Sequence, residues 1–370
     1  MSELWLTNPL DDVFRTSKKQ YRVPYDRRPD YKVEMACNAR ESVQLAINVG
    51  DDPMIEATAR AEVLNAPENC GISFDCGGVR YINNSSNSIN IFDEMKRADL
   101  PGELPQCIDR RPIKIIYRQT GAFFITVNTA ADAIPGDYDC RITVDYTDAK
   151  SFERKFYEYD FKLTVYPVIL PSGASAQYNY AQWLNCCGYH PEAVAKPTVE
   201  CNENVYGIKN FSEKWFTLIK NYARQMKKER INILYVPVYN LLYNSMKYGE
   251  NGEYIFDFTL FDRFIDTFLE NADIKYLCGF HLVLRTSKVP ESFSEDWRVH
   301  LNAPLVTWIF KEGRGLYDFA WDYLENDGAF RHLEMLIKGL YNHLKERGLE
   351  KMWIQHVSDE VDTAEQFAQI

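Results

Sequence analysis

Two adjacent carboxylates, Asp359 and Glu360, are the residues in this sequence best suited to chemistry. Neighbouring acids resist ionising together, so one is pushed toward its protonated form near neutrality while the other stays charged. The two titrate as a coupled pair and divide naturally into a proton donor and a stabiliser of positive charge. A simpler role competes, because acids just ahead of a helix stabilise its positive end by a few tenths of a kcal/mol and need no other purpose. What surrounds the pair decides between the two.

The pair closes the run Met352-Trp-Ile-Gln-His-Val-Ser-Asp-Glu360, an apolar, β-branched and aromatic stretch that follows the helix stop at Arg347-Gly348 and predicts a strand. Asp362-Thr-Ala-Glu365 then predicts a capping box opening a helix. The acids therefore belong to a strand-to-helix loop, the edge where α/β architectures carry their sites. In an extended run His356, Ser358 and Glu360 would face one side and Gln355, Val357 and Asp359 the other, so both acids reach one pocket only if the chain bends after Ser358. For His356, a hydrogen-bonded core position and a contact with Asp359 or Glu360 stand as equal alternatives.

Three more strands are predicted to share that edge: Ala176 to Trp183, Ile231 to Val236 (stopped by Pro237), and Lys275 to Val283. Helices separate them. Ser212 predicts the cap of one whose Trp215, Ile219, Tyr222 and Met226 share a face, with Lys227 and Lys228 at its negative end. Thr259 predicts the cap of a second, carrying Leu260, Phe264 and Phe268; a third carries Leu333, Leu336, Ile337, Leu340 and Leu344. The β-α-β-α-β-α-β order calls for parallel strands with right-handed crossovers. No G-x-G-x-x-G or phosphate-binding loop follows any strand, and the loops after the strands are long and aromatic. The first half of a (β/α)8 barrel over residues 171–370 is therefore expected in preference to a doubly wound sheet.

On that rim lie candidate substrate contacts: Trp183 and Gln182 after the first strand, Tyr239 and Asn240 after the second, and His281 at the end of the third. The long segment from Leu284 to Asn326 is expected to form a lid or binding loop, with Arg285 and Trp308 as candidate contacts and Trp297, Arg314 and Trp321 nearby. Ordinary loop packing is the competing role for each of them.

Residues 1–170 alternate with period two between turn signals and predict an antiparallel β-sandwich, making the whole an α+β multidomain chain. Val43, Leu45 and Ile47 share one face of the run Ser42 to Asn48. Phe123 to Val127, Tyr138 to Tyr146 after the turn at Pro135-Gly136, and Phe161 to Val165 follow the same pattern. Val168 to Gly173 predicts the exit linker.

Composition narrows the partners. The 370 residues carry 42 Lys and Arg against 53 Asp and Glu, a net charge of −11 without long blocks, which argues against nucleic acid and anionic membrane. The 9 cysteines, an odd number, include no C-x-x-C, and no H-E-x-x-H occurs, so neither a disulfide framework nor a zinc site is indicated; Cys186 and Cys187 are expected to be buried thiols. No cofactor is suggested. No basic and apolar leader opens the sequence and no run of about 18 apolar residues occurs, so a cytoplasmic protein is expected.

The residues also resemble a known group. Glu41-Ser-Val-Gln-Leu45, Leu100-Pro-Gly-Glu-Leu104, Phe124-Ile-Thr-Val127, Pro135-Gly-Asp-Tyr138, Ile231-Asn-Ile with Pro237, Phe256 to Asp262, Gly279-Phe-His-Leu282 and above all His356-Val-Ser-Asp-Glu360 are, in order and spacing, similar to glycoside hydrolase family 123 and its broader relatives. The resemblance implies a β-sandwich leading into a barrel and an exo-acting β-N-acetylgalactosaminidase, with a terminal N-acetylhexosamine glycan as partner and Asp359 and Glu360 catalytic. Adjacent acids do not easily straddle a glycosidic bond as separated carboxyl pairs do. They suit substrate-assisted hydrolysis, in which the sugar's own 2-acetamido oxygen attacks and forms an oxazoline. Glu360 would then be the general acid and Asp359 the partner of the acetamide N–H. Another sugar specificity, or a non-catalytic carbohydrate-binding scaffold, remains open. The sequence stops after the fourth predicted barrel strand, which leaves sheet edges open, so a fragment of a longer enzyme, an interrupted reading frame, or half of an assembly such as a homo-oligomer is expected.

Overall fold

A computed structural model describes residues 2–16, 32–83, 103–184, 186–187, 205–242, 246–285, 305–310, 319–324, 326–358 and 363–369, with backbone alone for several of these. The chain divides into two compact units, Met1–Pro171 and Ser172–Ile370.

Among the described residues the first unit has ten strands: β1 (Glu3–Thr7), β2 (Lys32–Cys37), β3 (Arg40–Asn48), β4 (Met54–Val63), β5 (Ile72–Asn83), β6 (Glu103–Asp109), β7 (Ile113–Ile115), β8 (Thr120–Thr129), β9 (Gly136–Asp148) and β10 (Arg154–Ile169). They form two five-stranded sheets, β1-β3-β8-β5-β6 and β2-β10-β9-β4-β7. Alternation explains the core. Val43, Leu45 and Ile47 of β3, Phe123, Ile125 and Val127 of β8, Ile142 and Val144 of β9, and Leu163 and Val165 of β10 all point into one apolar cluster shared by the two sheets. One pairing departs from the antiparallel expectation, because β2 runs parallel to β10. The run expected to end near Val165 also continues as strand to Ile169. On the other face of the first sheet, Ala46 packs with Trp5, Val13, Val79 and Ala122. Beside it, Gln44 Nε2 donates to the carbonyls of Asn8, Pro9 and Asp11 (3.0, 3.3 and 2.8 Å), holding the N-terminal segment.

In the second unit α1 (Glu213–Lys228) starts at Ser212, whose hydroxyl accepts from Trp215 N at 3.3 Å. Trp215, Ile219 and Met226 are buried along one face, and Trp215 Nε1 donates to the Cys186 carbonyl at 3.0 Å. Strand β11 (Ile233–Val236) leads through Pro237 into a short buried helix, α2 (Val238–Leu242), and then into the hairpin β12 (Lys247–Tyr248) and β13 (Tyr254–Ile255). Helix α3 (Thr259–Asn271) begins differently from the expectation. Thr259 is its first helical residue and its N–H donates to Asp257 Oδ1 at 2.9 Å. After β14 (Tyr276–Gly279) come β15 (Val283–Arg285), β16 (Leu305–Phe310) and β17 (Phe319–Tyr323), then α4 (Asp327–Glu346), β18 (Trp353–Gln355) and α5 (Ala364–Gln369).

The expected half of a (β/α)8 barrel is corrected by this unit. Among the described residues of this unit, parallel pairing is confined to the three-stranded sheet β11-β14-β18 and a single bridge between Ala181 and Ile233, and no barrel closes. Ala176 to Trp183 forms no strand, because the Asn232 side chain takes up its backbone instead: Asn232 Oδ1 accepts from Tyr180 N (2.7 Å) and Nδ2 donates to Tyr178 O (2.9 Å). The third predicted strand breaks after Gly279. Leu282 and Val283 both donate to the Val357 carbonyl (3.0 and 2.9 Å), and β15 leaves to pair antiparallel with β16, which pairs with β17. The segment read as one long loop thus carries a sheet of its own. Strand outweighs helix, and the fold is β-rich. No described helix is long and apolar enough to cross a membrane.

Candidate active site

The C-terminal ends of β14 and β18 and the segment after Ala181 bring three of the expected site residues together. Trp183 stands 51% exposed. Its ring meets Phe280 edge-on at 5.5 Å between centroids, His281 at 5.9 Å, and Tyr235 at 6.1 Å. His281 is only 5% exposed and stacks on Phe280 at 4.3 Å. His281 Nε2 lies 3.0 Å from His356 Nδ1, with the rings perpendicular, so His356 hydrogen-bonds a second histidine. An exposed indole beside two imidazoles offers a flat apolar face and a polar edge, the combination that suits a sugar ring.

Backbone and side chain together hold this edge. His356 N donates to Gly279 O at 3.1 Å, and Gln355 Nε2 reaches the carbonyls of Gly279, Phe280 and His356 at 3.3, 3.0 and 3.1 Å. Residue 279 must be glycine: a Cβ there would lie 2.5 Å from Trp353 Cζ2 and closer still to Gln355 Oε1. Burial pushes the neighbouring Cys278 thiol up to about 11, which keeps it protonated and unreactive near neutrality.

Tyr239 and Asn240 lie elsewhere. Both belong to α2 rather than to a rim loop, and both are buried, Tyr239 at 2% exposure. The Tyr239 hydroxyl donates to Leu282 O at 2.8 Å and sits 2.9 Å from Thr307 Oγ1, which also donates to Leu282 O. These groups tie β16 to the end of the parallel sheet. Asn240 Nδ2 lies 3.8 Å from Cys187 Sγ, and Cys186 and Cys187 are buried. The Gln182 amide oxygen accepts from the Tyr180 hydroxyl at 3.3 Å. Arg285 lies on β15, and Trp308 faces Trp321 across the β16–β17 ladder, with backbone alone described for all three. Asp359 and Glu360, like Trp297 and Arg314, lie outside the described residues. The capping box after them is displaced by one position: Gln366 N donates to Thr363 Oγ1 at 3.1 Å and Thr363 N to Gln366 Oε1 at 3.3 Å.

Phe280, Tyr235 and Gln355 were not anticipated from sequence. The pattern Cys278-Gly279-Phe280-His281 held a signal for the first, since a glycine beside a histidine at a strand end marks a close approach. Among the described residues, no group of three His, Cys, Asp or Glu could hold a metal ion.

Comparison with known proteins settles the family of this region. Residues 197–370 match the model of the glycoside hydrolase 123 catalytic domain. This part of the chain belongs to glycoside hydrolase family 123. A solved family 123 glycoside hydrolase from Clostridium perfringens, described for glycolipid glycan hydrolysis, is similar at 14% identity and a TM-score of 0.62 over 100% of this chain and 60% of that enzyme. Such an identity speaks for a shared fold, and this chain spans only 60% of that relative's length. Two others are more distant. AvmM, which catalyses macrocyclization in alchivemycin A biosynthesis, is 7% identical over 38% of this chain and 87% of its own, with a TM-score of 0.23. The CooA pilin subunit of enterotoxigenic Escherichia coli is 8% identical over 37% and 92%, with a TM-score of 0.21. No curated protein matches the chain.

Proposed function

We propose that this protein is a glycoside hydrolase that removes a terminal N-acetylhexosamine, preferentially β-linked N-acetylgalactosamine, from a glycan. The observation that carries the reading is that Asp359 and Glu360 fall inside the region matched to the family 123 catalytic domain, three and four residues beyond His356, which hydrogen-bonds the His281 that in turn meets Trp183. The Clostridium perfringens relative's glycolipid glycan hydrolysis makes a glycan headgroup a reasonable natural substrate.

In this mechanism Glu360 donates its proton to the glycosidic oxygen as the C1–oxygen bond breaks. The acetamido oxygen bonds to C1 from the opposite face, and the positive charge that grows on the acetamide nitrogen is met by Asp359, which accepts its N–H. Glu360, now a carboxylate, takes a proton from water, whose oxygen attacks C1 and opens the oxazoline. Two inversions give net retention. Trp183 supplies the apolar floor under the ring.

The test is hydrolysis of 4-nitrophenyl N-acetyl-β-galactosaminide beside its gluco epimer and the non-acetylated galactoside. Glu360→Gln and Asp359→Asn should each lower kcat by at least about 100-fold without loss of fold, the scale of a positioned acid–base group. A thiazoline analogue of the oxazoline should inhibit. Equal turnover of the non-acetylated sugar, or unaffected variants, would overturn the reading.

A further inference from the structure

His281 follows β14 and His356 follows β18, 75 residues apart in sequence, yet their ring nitrogens meet at 3.0 Å. A hydrogen bond between two imidazole nitrogens needs one N–H and one bare lone pair, so the tautomer of each ring is tied to that of the other. His281 is the anchored member. Its ring is buried, stacked on Phe280 and braced by the edge of Trp183. His356 is the member that continues toward the acids, and it is tied down on both sides. Its N–H is spent on Gly279 O, its carbonyl accepts from Gln355 Nε2, and the next carbonyl, Val357 O, receives two N–H groups from Leu282 and Val283. The chain leaving β18 is thus fixed to the segment 279–283 through backbone, amide and imidazole together.

We propose that His281 is a positioning residue for the acid pair: through its hydrogen bond to His356 it sets the course of the chain that leads, within four residues, to Asp359 and Glu360. The inference rests on the reading that these two acids perform the chemistry. Its physical content is that a displacement of about 1 Å at a catalytic group costs on the order of 100-fold in rate, whereas lost contact with the sugar raises KM.

The experiment measures kcat and KM of the full chain on 4-nitrophenyl N-acetyl-β-galactosaminide for His281→Phe, His281→Gln, His356→Ala and the double variant His281→Phe/His356→Ala. His281→Phe retains a ring to stack on Phe280 but lacks Nε2, which separates the hydrogen bond from packing. It should lose about 10- to 100-fold in kcat with KM within about threefold. His281→Gln, whose amide reaches as far as Nε2, should recover most of that loss. The double variant should be no slower than His356→Ala, because coupled groups are non-additive. An active wild type whose single losses multiply in the double variant, or whose His281 variants raise KM at constant kcat, overturns the positioning role while leaving the proposed function intact. A wild type inert on every acetamido sugar overturns both.

Discussion

The buried His332 should make the second unit acid-sensitive, by an amount that can be worked out. His332 lies on α4 at 2% exposure, with Nδ1 in hydrogen-bond contact with the Tyr254 hydroxyl of the β12–β13 hairpin and the Tyr254 ring edge-on at 5.1 Å. Burial disfavours its charged form and pushes the imidazole from 6.5 down to about 3. The neutral ring is therefore what the fold accepts, whereas the unfolded chain takes up a proton as pH falls through 6.5. Between about pH 6.5 and 3 the unfolded state binds the extra proton, so stability falls as pH falls, with a limiting slope of about 1.4 kcal/mol per pH unit. From pH 7 to pH 5 the loss amounts to about 2 kcal/mol, or roughly 4–8 °C in Tm for a unit of this size. His332→Gln keeps an acceptor for the Tyr254 hydroxyl but cannot titrate. Urea titrations of wild type and variant at half-unit steps from pH 7.5 to 5 should show the two midpoints converging, with the variant losing about 2 kcal/mol less. Midpoints that fall in parallel would show that His332 is not the group responsible and that its burial does not hold it neutral.

Three further outcomes follow from packing and capping. Gly279→Ala should destabilise the second unit by about 1–3 kcal/mol, because a methyl at 2.5 Å from Trp353 Cζ2 forces that ring or the strand to move; partial recovery in Gly279→Ala/Trp353→Leu, read by urea midpoint, checks the cause. Ser212→Ala should cost about 1 kcal/mol through loss of the α1 cap, with no change in α1 end point, read by circular dichroism during denaturation. Gln44→Leu strips three carbonyls of their shared donor and should expose the segment Asn8 to Asp11 to limited proteolysis, with a loss of about 1–3 kcal/mol in the first unit.

What the sequence revealed and what it concealed divide along a physical line. Local signals survived: the alternation of Val43, Leu45 and Ile47 and of Phe123, Ile125 and Val127 sends those side chains to one core, and Ser212 caps the helix whose stripe of Trp215, Ile219 and Met226 is buried. Period and capping chemistry depend on neighbours a few residues away, so they can be read from a single chain. Partnership could not be. Nothing in Ala176 to Trp183 shows that the Asn232 side chain will claim its backbone, leaving one bridge where a strand was expected. Nor does the run from Lys275 to Val283 show that its last residues abandon the parallel sheet for an antiparallel one built from residues 305–323. Tyr239 was placed on the rim because it follows a strand, but Pro237 opens a helix there and turns the hydroxyl inward to Leu282 O. Three of the nine proposed site residues, Trp183, His281 and His356, do converge, and they are the ones attached directly to the parallel sheet's edge or to the segment bridged to it.

That edge also explains why side chains, rather than the ladder, fix the chain at the site. Strand β18 pairs with β14 over only three residues, Trp353, Ile354 and Gln355, too short a ladder to hold its end by itself against fraying. The fixing is completed beyond it. Gln355 sends one amide nitrogen to three carbonyls, a fan that requires the neighbouring position 279 to carry no side chain. His356 closes on His281, and Val357 O collects two N–H groups that a continuing strand would have spent on the next ladder pair. The end of this short strand is therefore set by Gln355, His356 and Val357 rather than by the ladder itself.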